Sequence, residues 1–419
     1  MPEPVALPER SAAQWSAPEY WEGLTRATAH LDPPVAVLSL PALAANAHDL
    51  RCRAGGTRIR VASKSLRVRS VLDSVLAQPG FGGVLAYTLA EALWLAAPSG
   101  SHRAIDDIVV GYPTVDREAI ARLASDEDAA ARVTLMVDSI DHLELIDSVV
   151  PPTARSCVRL CLELDASWDS RALGHVGTWR SPVHTVAQAR ALAEAIVGRP
   201  GFALVGMMAY EGQLAGLADD SGPAGGAIIR WAKRRSTLEL AERRALAVAA
   251  VRDVAALEFV NGGGTGSLES TTAEVAVTEV AAGSGLFGPH LFDHYRSFSP
   301  APAAAFALPV VRKPRPHLAT LLGGGWIASG PPGTDRLPLA MWPEGLRMLP
   351  REMAGEVQTP LAGPGAARLA VGDRVWLRHS KAGELSEHVN EYALVDGEVG
   401  NEVVVGTAPT YRGDGMAFL

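Results

Sequence analysis

Ile59-Arg60-Val61-Ala62-Ser63-Lys64-Ser65-Leu66-Arg67 begins as a short apolar, strand-like run, closes on a lysine and leads into a helix. That lysine is conspicuous, because the chain holds four lysines against thirty-four arginines. Arginine keeps its proton near neutrality and cannot act as an amine nucleophile. A desolvated lysine can lower its pKa and attack an aldehyde. A solvated lysine at a strand end is the plainer alternative, so the surrounding pattern has to decide.

Working outward, the same unit recurs. Apolar runs at 59–62, 83–87, 107–111, 133–137, 157–164, 203–209, 257–261 and 275–282 alternate with alanine-rich stretches such as 43–55, 186–197 and 241–253, where Ala and Leu fall at i, i+3 and i+4. A further run at 35–39 reads as a lead-in. Eight strand-helix repeats over some 250 residues predict a (β/α)8 barrel in an α/β chain. After residue 297 the texture changes: Ser299-Pro300-Ala301-Pro302 marks a junction, helical periodicity stops, and runs at 374–377, 392–395 and 403–405 are broken by Gly-Asp and Asp-Gly turns. This predicts a C-terminal antiparallel β domain. The expected division is an N-terminal segment at 1–33 that packs on either part, a barrel at 34–297 and a β domain at 298–419.

Bulk properties narrow the function. The chain is 20% charged and 48% hydrophobic with a net charge of -8, which gives no basic stripe for nucleic acid. Its first thirty residues mix Pro, Glu, Arg and Trp without an apolar core segment, so neither a leader nor a membrane helix is expected, and the cytoplasm is the expected location. Cys52, Cys157 and Cys161 suggest no disulfide framework, and the last two read as buried positions of one strand.

In a parallel barrel, ligands collect at the carboxyl ends of the strands. Lys64 follows the first barrel run; Asp165 and Arg171 follow the fifth; Ala209-Tyr210-Glu211-Gly212 ends the sixth; Asn261-Gly262-Gly263-Gly264-Thr265-Gly266-Ser267 ends the seventh; Gly283-Ser284-Gly285 follows the eighth. Four glycines with Thr265 and Ser267 let backbone N–H groups and hydroxyls converge on an anion, the pattern of a phosphate cradle. The loop comes too late in the chain for a dinucleotide fingerprint. A phosphate anchor facing a lysine across one barrel mouth suits pyridoxal 5'-phosphate, held by its phosphate at one end and by a carbon-nitrogen double bond at the other.

Taken together, Lys64, the Asp-to-Arg step, Ala-Tyr-x-Gly, Gly-Gly-Gly-Thr-Gly and the final Gly-Ser resemble the fold-type III pyridoxal-phosphate enzymes, the alanine racemase-like barrels. Within them the chain is most similar to the D-threonine aldolase and D-serine dehydratase-like family. The resemblance implies that Lys64 joins the cofactor aldehyde and that Arg171 contacts its ring. It further implies that Tyr210 lies beside cofactor and substrate, and that Gly263, Gly264, Thr265, Gly283 and Ser284 hold the phosphate. It also implies a small-molecule amino acid substrate and a homodimer, with no nucleic acid or membrane partner.

One departure bears on mechanism. Metal-dependent members carry His-x-Cys or His-x-Asp in the β domain, where this chain has His379-Ser380-Lys381. The family's carboxylate-histidine stretch corresponds to Gly355-Glu356-Val357-Gln358, without its histidine. An ammonium has no lone pair for a cation, so no metal is expected. Lys381 is instead expected to supply positive charge beside the substrate's distal group. His379, titrating near neutrality, is expected to take the proton of a β-hydroxyl. The expected activity is retro-aldol cleavage of a D-β-hydroxy amino acid. Dehydration with deamination, racemisation and non-catalytic cofactor binding stand as alternatives.

Overall fold

The computed structural model describes residues 15, 17–100, 102–171, 173–220, 223–381 and 383–419. In chain order the first strands are β1 (Val35–Ser39), β2 (Arg58–Ala62), β3 (Phe81–Ala86), β4 (Ile108–Val110), β5 (Val133–Val137), β6 (Val158–Glu163), β7 (Trp168–Ser170), β8 (Gly174–Val176), β9 (Phe202–Ala209), β10 (Phe259–Gly262) and β11 (Glu279–Ala282). They are followed by β12 (Ala304–Arg315), β13 (Leu318–Leu322), β14 (Leu339–Trp342), β15 (Arg347–Met348), β16 (Gln358–Ala362), β17 (Arg374–Arg378), β18 (Glu391–Asp396) and β19 (Val403–Pro409). The chain divides into two units.

One unit, Leu50–Lys64, Leu72–Gly283 and Phe418–Leu419, contains a closed barrel of eight parallel strands in the ring order β2-β3-β4-β5-β6-β9-β10-β11. Parallel strands covered on both faces need apolar side chains on both, so they appear in sequence as unbroken hydrophobic runs. Every residue of β4 and β5 is buried. Val109, Met136, Cys161, Val205, Met208 and Phe259, from five strands, form one core cluster. Gly206 makes room in it, since a Cβ there would meet the Phe259 ring at 2.1 Å. Cys157 lies just before β6 and is exposed, unlike Cys161, because the strand starts one residue later than the apolar run.

Toward the amino-terminal end of the barrel the core turns ionic. The buried Arg60 donates from Nε to Glu279 Oε1 (2.6 Å) and from its terminal nitrogens to Asp107 Oδ1 (2.7 Å), Asp107 Oδ2 (3.0 Å) and Glu279 Oε2 (3.0 Å). Asn261 donates to Glu279 at 2.9 Å. Two departures from the expected pattern lie between β6 and β10. A hairpin, β7-β8, follows β6, and the helix expected at 241–253 is the C-terminal part of a 30-residue helix, Pro223–Arg252. The earlier half of that helix is rich in arginine, which masks the apolar spacing.

The other unit comprises the described residues of Met1–Asp49, Ser65–Val71 and Ser284–Ala417. It is a nine-stranded sheet in the order β15-β16-β13-β12-β1-β18-β19, with β17 paired to β12 and β14. Most pairings are antiparallel, but β1 runs antiparallel to β12 and parallel to β18. The run at 35–39 is therefore an interior strand of this sheet, not a lead-in to the barrel. Neither 33 nor 297 marks the division, because an apolar run specifies a buried strand without specifying its partner. The helix Pro18–Ala27 packs on this sheet, where Trp376 Nε1 donates to Thr25 Oγ1 at 2.8 Å. Among the described residues no helix is long and apolar enough to cross a membrane.

Candidate active site at the carboxyl end of the barrel

Parallel strands deliver all their carboxyl ends to one side, so residues far apart in sequence meet there. Lys64 sits in a single helical turn, Ser63–Ser65, that follows β2 directly. Ser63 pins this turn by donating to the Leu85 carbonyl at 3.1 Å. Lys64 Nζ donates to Tyr112 Oη at 2.5 Å, and Tyr112 is the second residue past β4. The Arg180 guanidinium lies 5.3 Å from the Tyr112 ring centre and 4.7 Å from that of Tyr210, the residue after β9. Its Nη1 is 3.6 Å from Glu163 Oε1 at the end of β6. A lysine, an arginine, two phenols and a carboxylate thus converge from the ends of four strands and the loop after β8.

Their electrostatics follow from this packing. Burial opposes ionisation of Tyr112, but the Lys64 ammonium and the Arg180 guanidinium outweigh it and lower its pKa below the ordinary phenol value. Tyr210 moves the other way: burial raises it, Arg180 opposes, and the Glu211 charge adds to the rise. Burial also pushes Glu163 up to about 7 against the pull of Arg180, with Asp138 and Asp165 reinforcing the rise. Asp165 itself is held below the usual carboxylate range: burial opposes this, but Ser167 and His184, whose Nδ1 lies 2.8 Å from Oδ2, prevail.

The glycine-rich loop after β10 rests on a buried carboxylate. Glu211 accepts from the Gly263 N–H (3.0 Å), from Thr271 Oγ1 and from Arg244 (2.9 Å), while Arg244 also pairs with Glu274 at 3.0 Å. The Gly264 N–H donates to Ser267 Oγ at 3.1 Å, and Arg53 donates to the Thr265 carbonyl at 2.7 Å. The Gly263 N–H is thus engaged by Glu211 and the Gly264 N–H by Ser267 within the loop. Gly263 has φ +80°. A Cβ on Gly264 would meet Ala215 at 2.8 Å and Tyr210 Cε2 at 3.3 Å; one on Gly212 would meet Tyr210 Cε1 at 3.2 Å. The two glycines admit the Tyr210 ring edgewise between them. Gly283 links β11, the ring neighbour of β10, to a short helix opened by Ser284.

Several expected residues lie elsewhere or behave differently. Arg171 is exposed in the turn of the β7-β8 hairpin, whereas Arg180 packs over the rings of Tyr112 and Tyr210. The cause is the hairpin itself, which inserts after β6 and carries the nearest arginine outward. In the β unit, His379 has no exposed surface, and burial, then Arg378 and His290, push its pKa down to about 3. It is a neutral, enclosed imidazole rather than a group titrating near neutrality. Lys381 donates to Ser329 Oγ at 2.9 Å and to its carbonyl at 3.2 Å. Tyr112 and Arg180 were not singled out from the sequence. Tyr112 did carry a signal, since it comes immediately after the run at 107–111.

The D-threonine aldolase from Filomicrobium marinum superposes with a TM-score of 0.74 at 19% identity, over 93% of this chain and 97% of that one. The D-threo-3-hydroxyaspartate dehydratase from Delftia sp. HT23 gives 0.67 at 20% identity over 91% and 97%. An alanine racemase-like protein from Idiomarina loihiensis gives 0.65 at 15% identity over 91% and 97%. The fold is the alanine racemase-like one. No family model and no curated protein matches the chain.

Proposed function

We propose that this chain is a pyridoxal-phosphate-dependent lyase that cleaves D-β-hydroxy amino acids by a retro-aldol reaction without a divalent metal. What carries this proposal is one barrel mouth that holds the Lys64 amine at the end of β2 and a glycine-hydroxyl loop at the end of β10, two places away around the ring. That mouth belongs to a fold shared with a D-threonine aldolase and a D-threo-3-hydroxyaspartate dehydratase.

The residues present suit the cofactor. Lys64 offers the amine for its aldehyde. Thr265, Gly283 and Ser284, with the space left by Gly263 and Gly264, are assigned to its phosphate, and Arg180 replaces Arg171 beside its ring. When bound, the cofactor supplies an electron sink for a bond broken at the amino acid's α-carbon. Tyr210, wedged between Gly212 and Gly264, forms a fixed wall of the site, and its raised pKa keeps it a neutral hydrogen-bond donor. Arg180, held over two tyrosine faces, brings positive charge that an anionic oxygen would meet without reorganisation. His379 has no part in the proton transfers. Lys381 is retained as the cation for the substrate's distal group. The protein is proposed to work in the cytoplasm as a homodimer.

A test is to incubate the cofactor-loaded protein with D- and L-β-hydroxy amino acids, with and without chelator, and to measure aldehyde, keto acid and optical rotation. Aldehyde from the D-isomers alone, insensitive to chelator, is expected. Keto acid with ammonia and no aldehyde would replace aldol cleavage by elimination. Simple inversion would make the protein a racemase.

A further inference from the structure

The contact between Lys64 and Tyr112 carries an inference that rests on the cofactor assignment above and goes beyond it. An ammonium cannot attack an aldehyde; the amine must first give up its proton. Lys64 Nζ lies 2.5 Å from Tyr112 Oη, a short, direct path for that proton. The charged and titratable groups that act on Tyr112 come from different elements: Lys64 after β2 and Arg180 after the β7-β8 hairpin, with the Tyr210 phenol after β9 coupled to it. The first two are cations and Tyr210 stays neutral, so the surroundings favour the phenolate. Arg180 also lies 5.3 Å from the ring centre, so it remains to stabilise the phenolate when the lysine charge is gone.

We propose that Tyr112 is the proton acceptor that arms Lys64 for cofactor capture. The phenolate oxygen takes a proton from the ammonium, leaving a neutral phenol and a neutral amine. The amine lone pair then forms the carbon-nitrogen bond with the aldehyde, and the carbonyl oxygen leaves as water. No oxidant or further reactant is needed. The lowered pKa of Tyr112 agrees with this role.

The test is cofactor capture by the protein stripped of pyridoxal phosphate, read as the rate of absorbance change and as borohydride-trapped adduct on Lys64, across a pH series. In Tyr112→Phe, capture is expected to slow at least about tenfold at neutral pH. It should converge on the wild-type rate at alkaline pH, where solvent removes the lysine proton. An identical profile overturns the inference, and so does a loss of equal size at every pH, which would mark a merely structural role. Tyrosine-labelled NMR provides a check independent of that variant's activity: the Tyr112 phenol, assigned by its absence in Tyr112→Phe, should titrate higher in Lys64→Ala than in the wild type, and no shift overturns the pairing. Wild-type protein that forms no adduct at any pH removes the cofactor assignment together with this inference. Normal capture by Tyr112→Phe removes the inference alone.

Discussion

The two ends of the barrel handle buried cations in opposite ways. At the amino-terminal end, Arg60 is gripped by Glu279 and Asp107 through four hydrogen bonds of 2.6 to 3.0 Å. At the carboxyl end, Arg180 stands between two tyrosine rings, its carboxylate Glu163 is 3.6 Å away, and Lys64 donates to the Tyr112 phenol. The first arrangement neutralises charge and closes the barrel. The second holds the Arg180 charge against two aromatic faces, with its carboxylate at a longer 3.6 Å. The difference teaches that a cation at a barrel end becomes informative once its counter-charges are counted.

Four substitutions can break or sharpen that contrast. The largest effect is expected from Glu279→Ala, which leaves Arg60 buried with one partner fewer; a loss of about 3–5 kcal/mol should appear in denaturant melts. If stability is unchanged, the amino-terminal end is not the structural one. Next, Arg180→Ala should leave the melt close to wild type and lower kcat about 10²-fold, whereas Arg171→Ala should leave kcat untouched. The reverse result would restore Arg171 to the site. The smallest effect near neutral pH concerns His379, whose folded pKa of about 3 lies below the ordinary 6.5. Between those values the unfolded chain binds the extra proton, so stability falls as the pH falls, by at most about 1.4 kcal/mol for each pH unit. His379→Leu should flatten the acid limb of a stability-pH curve; an unaltered limb would show that this imidazole titrates normally.

Much of this was legible because parallel strands advertise themselves. Apolar runs at 133–137 and 203–209 fall within one residue of β5 and β9, and Lys64 and the glycine loop stand at strand ends as expected. What escaped has a common cause. The partner of β1 is set by pairing with β12 and β18, hundreds of residues away, which no local period encodes. The β7-β8 hairpin displaced Arg171 and brought Arg180 inward, and a three-residue strand leaves almost no hydrophobic pattern. His379 looked like a working base because its burial and its packing against Arg378 and His290 cannot be read from the tripeptide that contains it. Glu211 was visible in Ala-Tyr-Glu-Gly, but its support of the loop became clear only with Arg244 and Thr271 beside it.

The chain passes from one unit to the other five times, at 49/50, 64/65, 71/72, 283/284 and 417/418. Neither unit can therefore be excised with a single cut, nor exchanged as a cassette with a homologue, without severing the other. Any ancestor or engineered chimera would have to carry both halves of the molecule as one inheritance.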